Sequence, residues 1–322
     1  MRILIVGAGA IGQVYAYHLK KAGNEVHFYV KEKYAAEMHG ELSLYPLNRR
    51  NPRNSPVSFK ADGVVTTPEG AGKSKWDQVY LCMSSTGLRG EWIDQFARAI
   101  PEATIISLQS GLEDVNYLLG HFPRERIVSG MLSLISYHAP LPGEIVPRPG
   151  MAFWYPPLSP SPFSGEISRT KKVVDALKKG GYPAKIAKDV PSMIALPSAV
   201  LMSLISGLEL ADWSFKKFNQ KSKLSEVCQA ANEAAQIISK KQNQNTPWAF
   251  SLLTPTSIRA LMKLVPCVIP LDIETYLKVH FTKVGDQTRM YMKGYLDSGK
   301  GQGMAAPGLE RLTTSLVGHR TN

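Results

Sequence analysis

The chain has 322 residues, 44% of them apolar and 20% charged, with a formal net charge of +12. That length exceeds one ordinary hydrophobic core and predicts two domains, and the composition excludes an intrinsically disordered chain. No apolar run approaches the roughly 20 residues that span a bilayer, so no membrane partner is expected.

An apolar strand over residues 2–6 begins the chain at once, which leaves no room for a signal peptide. It runs into Gly7-x-Gly9-x-x-Gly12, and a helical pattern follows over residues 13–21. Gly7 allows the tight turn, Gly9 lets a pyrophosphate approach bare backbone, and Gly12 lets helix and strand pack closely. Ala10 and Ile11, between them, add backbone N–H groups at a helix start that carries positive partial charge. Gly7, Gly9, Ala10, Ile11 and Gly12 are therefore the candidate cofactor-binding turn, with a glycine-rich turn lacking any ligand as the plain alternative.

The second strand covers residues 25–30 and ends at Val30-Lys31-Glu32-Lys33. Sites that prefer NAD place an acidic residue near this point to hold the ribose 2′-hydroxyl. A cation there suits a 2′-phosphate instead, so Lys31, then Lys33, is expected to select NADPH. Glu32 could serve a ribose if the strand ended one residue later, and all three could be solvated charges.

Further along, residues 41–70 read as irregular β structure with prolines at 46, 52, 56 and 68. Buried strands follow at 76–83, 104–109 and 126–134, with helices through Trp92 and Phe96 and over residues 112–119. Residues 135–165 are turn-rich and hold a short aromatic strand at 152–155. A helix over 168–179 and a strand over 184–187 complete an alternation typical of a parallel sheet covered on both faces. From residue 190 helix follows helix: an apolar one over 193–210, an alanine-rich one over 222–241 and a long one over 271–296. The expected fold is α/β, a doubly wound Rossmann-type domain over 1–189 followed by an all-helical substrate or dimerisation domain over 190–322.

Cys82, Cys228 and Cys267 are odd in number and widely spaced, so they read as buried thiols of a reducing cytoplasm. No histidine and cysteine cluster has metal-ligand spacing, and no metal is expected. No Gly-x-Ser-x-Gly elbow occurs. Basic residues gather at Arg49, Arg50 and Arg53, at Lys171 and Lys172, and at Lys216, Lys217, Lys221 and Lys223. Such a field attracts phosphorylated cofactors and acidic substrates. No nucleic-acid-binding motif accompanies it, so no specific nucleic acid is expected.

With these elements in order, the chain resembles the ketopantoate reductase family. The resemblance rests on Gly7-Ala-Gly-Ala-Ile-Gly12, Leu81-Cys-Met-Ser84 and Leu108-Gln-Ser-Gly-Leu112. It continues through Ser129-Gly-Met131, Pro142-Gly143-Glu144 and Lys293-Gly-Tyr-Leu296. It implies an NADPH-dependent reductase in which a lysine early in the central helix donates a proton and a glutamate in the late helix assists. Ser84, Gln109 and Ser110 fall at family positions that touch cofactor or substrate. The chain departs from the pattern there: Gln109-Ser110-Gly111 replaces Gln-Asn-Gly, and Ser84 replaces a lysine. Setting Ser206-Gly207-Leu208 against Asn-Pro-Leu puts Ser198 at the lysine and Met202 at an asparagine. The glutamate falls on Thr288, or on Arg289 with a one-residue gap. No lysine occurs between Lys188 and Lys216.

Serine is a far weaker acid than an ammonium, so lysine-assisted reduction is not expected here. On an uninterrupted late helix Lys278, Thr282, Gly285 and Arg289 would share a face and could hold an anionic substrate. His138, in a loop after the 126–134 strand, and His280 are proton-donor candidates by chemistry. Glu209 and Asp212 are expected to face solvent. The leading reading is a cytoplasmic NADPH-dependent oxidoreductase acting on a small anionic carbonyl or imine compound, with a homodimer left open. The alternative is a non-catalytic NADP-binding sensor or subunit whose reductase site has decayed.

Overall fold

Alternation of apolar side chains builds the first sheet. In β1 (Arg2–Val6), Ile3 and Ile5 enter one apolar layer while Leu4 and Val6 enter another, and all four are fully buried. Successive strand residues point to opposite faces, so a strand buried on both sides reads as continuously apolar. Each such side chain contributes about 1.5–3 kcal/mol by leaving water.

The computed structural model describes residues 1–49, 53, 55–111 and 113–319. Arg50 of the basic cluster, Pro52 and Leu112 lie outside the described residues, as does the side chain of Lys221. Contacts divide the chain into two units, Met1–Ser110 with Asp114–Val190, and Gly111–Glu113 with Pro191–Asn322.

In the first unit, β1 leads into α1 (Ala10–Lys21), β2 (Glu25–Tyr29), β3 (Leu42–Pro46), β4 (Val57–Phe59), β5 (Gly63–Val65) and β6 (Gln78–Leu81). Then come the one-turn α2 (Ser85–Leu88), α3 (Trp92–Ala99), β7 (Thr104–Ser107), α4 (Asp114–Leu119) and β8 (Ile127–Gly130). The unit closes with β9 (Ile135–Ala139), β10 (Gly150–Trp154), β11 (Ser161–Gly165), α5 (Ile167–Lys179) and β12 (Ala184–Ile186). Eight strands form one sheet in the order β12-β11-β8-β7-β6-β1-β2-β5, parallel except where β11 meets β8. The chain leaves β1 for β2 on one side and returns to β6 on the other. That reversal opens a crevice at the carboxyl ends of β1 and β6, the usual place for a ligand in such sheets.

A second, four-stranded sheet has the order β4-β3-β10-β9. Residues 135–165, expected to be mostly turns, contain three strands, β9, β10 and β11. The expected strand at 126–134 ends at Gly130. Proline does not forbid these strands: Pro162 sits inside β11 with its carbonyl accepting from the Met131 amide at 3.0 Å.

The second unit is helical: α6 (Val190–Glu209), α7 (Lys221–Lys241), α8 (Pro255–Val268), α9 (Ile273–Lys283), α10 (Gly285–Gly301) and α11 (Pro307–Gly318). Its core joins Ala199, Met202 and Ile205 of α6 to Ala230, Ala234 and Ile238 of α7, Met292 of α10 and Leu309 of α11. By length and composition α6 could cross a membrane, which corrects the expectation that no segment approaches that size. Its interrupting serines hide this from a count of apolar runs, and most of the helix is buried, as in the core helix of a globular protein. Cys228 is buried, but Cys82 is only partly so and Cys267 is exposed near the end of α8, correcting the expectation of three buried thiols.

Candidate functional site

The turn after β1 is built by steric exclusion. Gly7 has φ +93°, a conformation costly for any residue with a Cβ, and a Cβ there would lie 2.8 Å from the Cys82 carbonyl oxygen. A Cβ on Gly12 would lie 2.0 Å from the Gly7 carbonyl oxygen, so only glycine lets α1 start this close to β1. Gly9 differs from both. A Cβ there would meet nothing within 4 Å, which leaves bare backbone facing open space.

Gly9 caps α1 with no side-chain hydrogen bond, and the first turn of α1 carries no acidic residue. Ala10, Ile11 and Gly12 therefore offer amide groups and positive partial charge with no carboxylate competing for them. This cradle fits the diphosphate of a dinucleotide.

The neighbouring strand ends are locked to one another. Buried Gln109 donates from Nε2 to the carbonyls of Leu81 and Met83, both at 2.9 Å, and its Oε1 accepts from Ser107 Oγ at 2.9 Å. Ser84 Oγ caps α2 by accepting from the Gly87 amide at 3.1 Å. Ser110 is half-buried at the end of the β7 segment. Lys31 is exposed just beyond β2, where it caps a short turn, and Lys33 lies over the Tyr34 ring at 4.9 Å.

Other candidates are placed differently from expectation. His138 is not in a loop: it sits mid-strand in β9, exposed and in register with Met151 of β10. The late helix is broken at Val284 (φ −112°, ψ 23°), so Lys278 on α9 and Arg289 on α10 do not share one continuous helix face. Lys278 is exposed. Arg289 donates to Glu209 Oε1 at 2.7 Å and to the carbonyls of His319 at 2.8 Å and Gly285 at 3.2 Å. Glu209 is thereby buried, not solvent-facing as expected, whereas Asp212 is exposed and pairs with Lys217. Burial holds the His280 imidazole down at about 4, against Tyr276 and Phe281, which suits it poorly to donating protons near neutrality.

The family's helix positions are filled by buried groups. Ser198 accepts from the Tyr295 hydroxyl at 3.3 Å, Met202 lies in the core, and Thr288 is buried. Among the described residues no group of three His, Cys, Asp or Glu side chains could hold a metal ion.

One cluster escaped the sequence reading. Asp114, fully buried, accepts from Arg89 Nη1 at 2.6 Å and from Ser85 Oγ at 2.7 Å, and Arg89 also donates to the Ser85 carbonyl at 2.8 Å. These residues are 25 and 29 positions apart in the chain, and no local spacing announces them.

Fold and turn together define a Rossmann-type doubly wound domain followed by an all-helical one. Residues 3–158 match the sequence model of the family described as ketopantoate reductase PanE/ApbA. Among solved structures, a 2-dehydropantoate 2-reductase from Geobacter metallireducens GS-15 superposes with TM-score 0.71 at 17% identity, covering 99% of each chain. A D-mandelate dehydrogenase, solved with NADH and anilino(oxo)acetate, gives TM-score 0.73 at 17% identity, over 99% of this chain and 97% of the other. A probable 2-dehydropantoate 2-reductase from Bacillus subtilis gives 0.68 at 17%, over 99% of both. At such identities the likeness establishes the shared fold. A search of curated proteins found no match.

Proposed function

We propose that this protein is a nicotinamide-dinucleotide oxidoreductase that uses NADPH and reduces a small anionic carbonyl or imine compound. The observation that carries this reading is the turn at Gly7, Gly9 and Gly12, where two glycines are forced by backbone contacts and the third leaves open space over an uncapped helix start. Gly7, Gly9, Ala10, Ile11 and Gly12 would hold the diphosphate. Lys31, exposed at the end of β2, would pair with a 2′-phosphate. When bound, the cofactor supplies a hydride equivalent. Ser84, Gln109 and Ser110 belong to the same strand ends, and two of the three are already committed: Gln109 fixes the loop after β6 and Ser84 caps α2.

Reduction of a ketone builds an alkoxide, which needs a donor of positive charge or a proton. Ser198 and Thr288 cannot supply a charge, so the substrate is expected to differ from ketopantoate or to bring its own acidic group. The burial of these same positions favours a second reading, an NADP-binding protein without turnover. Purified protein should bind NADPH saturably and oxidise it with at least one member of a panel of 2-oxo acids and imines. Binding without turnover across the panel favours the second reading, and no binding at all overturns both.

A further inference from the structure

We propose that Asp114 is a positioning residue: through Ser85 and Arg89 it fixes the rim formed by residues 82–89 against the glycine turn, and so sets the affinity for the dinucleotide. The proposal rests on the functional reading above. Asp114 stands at the start of α4, just past β7, and its two carboxylate oxygens are divided between two partners on the segment after β6. Oδ2 takes the Ser85 hydroxyl at 2.7 Å and Oδ1 takes the Arg89 guanidinium at 2.6 Å. Arg89 closes the triangle on the Ser85 carbonyl at 2.8 Å, and its guanidinium lies 4.8 Å from the centre of the Tyr117 ring on α4. The same segment is tied one step earlier by Gln109, at Leu81 and Met83.

This rim meets the glycine turn directly. The Cys82 carbonyl is the atom that a Cβ on Gly7 would strike at 2.8 Å, and Met83 Cβ lies 3.7 Å from the same point. A shift of Ser85 is therefore passed through two residues of backbone to the wall behind Gly7. A fully desolvated carboxylate is a poor device for stability alone, because its desolvation cost offsets much of its attraction to the guanidinium. What such a pair does well is hold one geometry, and binding sites need supporting groups that fix the groups touching ligand.

The test compares NADPH titrations, followed by nucleotide fluorescence, with thermal melts of the nucleotide-free protein for wild type, Asp114→Asn, Ser85→Ala and Glu209→Gln. Glu209→Gln perturbs a second buried carboxylate paired with a guanidinium, in the second unit. We expect Asp114→Asn to weaken NADPH binding about tenfold and Ser85→Ala about threefold, whereas Glu209→Gln lowers the melting temperature and leaves affinity within about twofold. Ser85→Ala removes a single hydroxyl and decides the matter should Asp114→Asn not fold. Affinity that is unchanged in the folded variants, or that falls equally in Glu209→Gln, overturns the positioning role while leaving the functional reading intact. Wild type that binds no NADPH removes that reading itself.

Discussion

The hydroxyl of Tyr295 donates to Ser198 Oγ across 3.3 Å inside the helical core, at the position where the family resemblance leads one to seek a lysine. The pair is a buried polar contact between two helices of this unit. Ser198→Ala and Tyr295→Phe should each destabilise the helical unit by about 1 kcal/mol, toward the lower end because the bond is long. The double variant should cost less than the sum of the two, since each single change already breaks the contact. Strictly additive urea-denaturation energies would show that the contact contributes nothing.

Glu209 and Arg289 make a second prediction. The carboxylate is buried while the guanidinium keeps a quarter of its surface in water. Glu209→Ala strands the guanidinium, which should cost about 3 kcal/mol, the low end for breaking a buried pair. The release of the His319 carbonyl from Arg289 should show as faster amide exchange at the end of α11. Unchanged exchange there would separate the C-terminal segment from this pair.

Acid sensitivity follows from two histidines. His18 donates from Nδ1 to the Gly180 carbonyl at 2.9 Å, so in the neutral ring Nε2 accepts from the Tyr155 hydroxyl at 2.8 Å. Burial lowers the imidazole from 6.5 to about 4, and His280 behaves likewise. The folded state then binds fewer protons than the unfolded one below about pH 6.5, so stability is full above that pH and is lost as pH falls toward 4. By about pH 5 each histidine should have cost about 2 kcal/mol. Urea midpoints between pH 7 and 5 should fall steeply for wild type and less for His18→Gln or His280→Gln. Equal slopes would show that neither ring is held neutral.

Lys31 should decide between the two nicotinamide dinucleotides. Lys31→Glu places a carboxylate where a 2′-phosphate is proposed to sit, and should weaken NADPH at least about tenfold while sparing or improving NADH. Parallel titrations with both nucleotides check this. An equal loss for both would move the 2′-phosphate contact elsewhere.

What the sequence revealed and what it hid divide along physical lines. Gly7, Gly9 and Gly12 lie within six residues of one another, so strand, turn and helix could be read together. The buried runs of β1, β6 and β7 were equally local. The break at Val284 is marked in the sequence by Gly285, a residue common just past a helix end, but with no proline beside it that signal also reads as a space on one continuous helix face. Pro156, Pro157, Pro160 and Pro162 argued for turns, and only pairing with distant β8 and β12 makes β11 a strand. Glu209 with Arg289 is closed across 80 residues, and Asp114 with Arg89 across 25. Nothing in the local pattern around either carboxylate marks it for burial.

The most direct test of the central claim is NADPH binding by Gly9→Val beside wild type. A Cβ at Gly9 meets nothing within 4 Å and φ is −71°, so the backbone admits a side chain and the variant should fold and melt within a few degrees of wild type, the shift coming from a poorer helix cap. The new side chain would occupy the space proposed for the diphosphate. We expect saturable binding by wild type and a loss of at least about tenfold in Gly9→Val, with both proteins folded at the temperature of the titration. Equal affinity in the two proteins, or no binding by wild type, would contradict it.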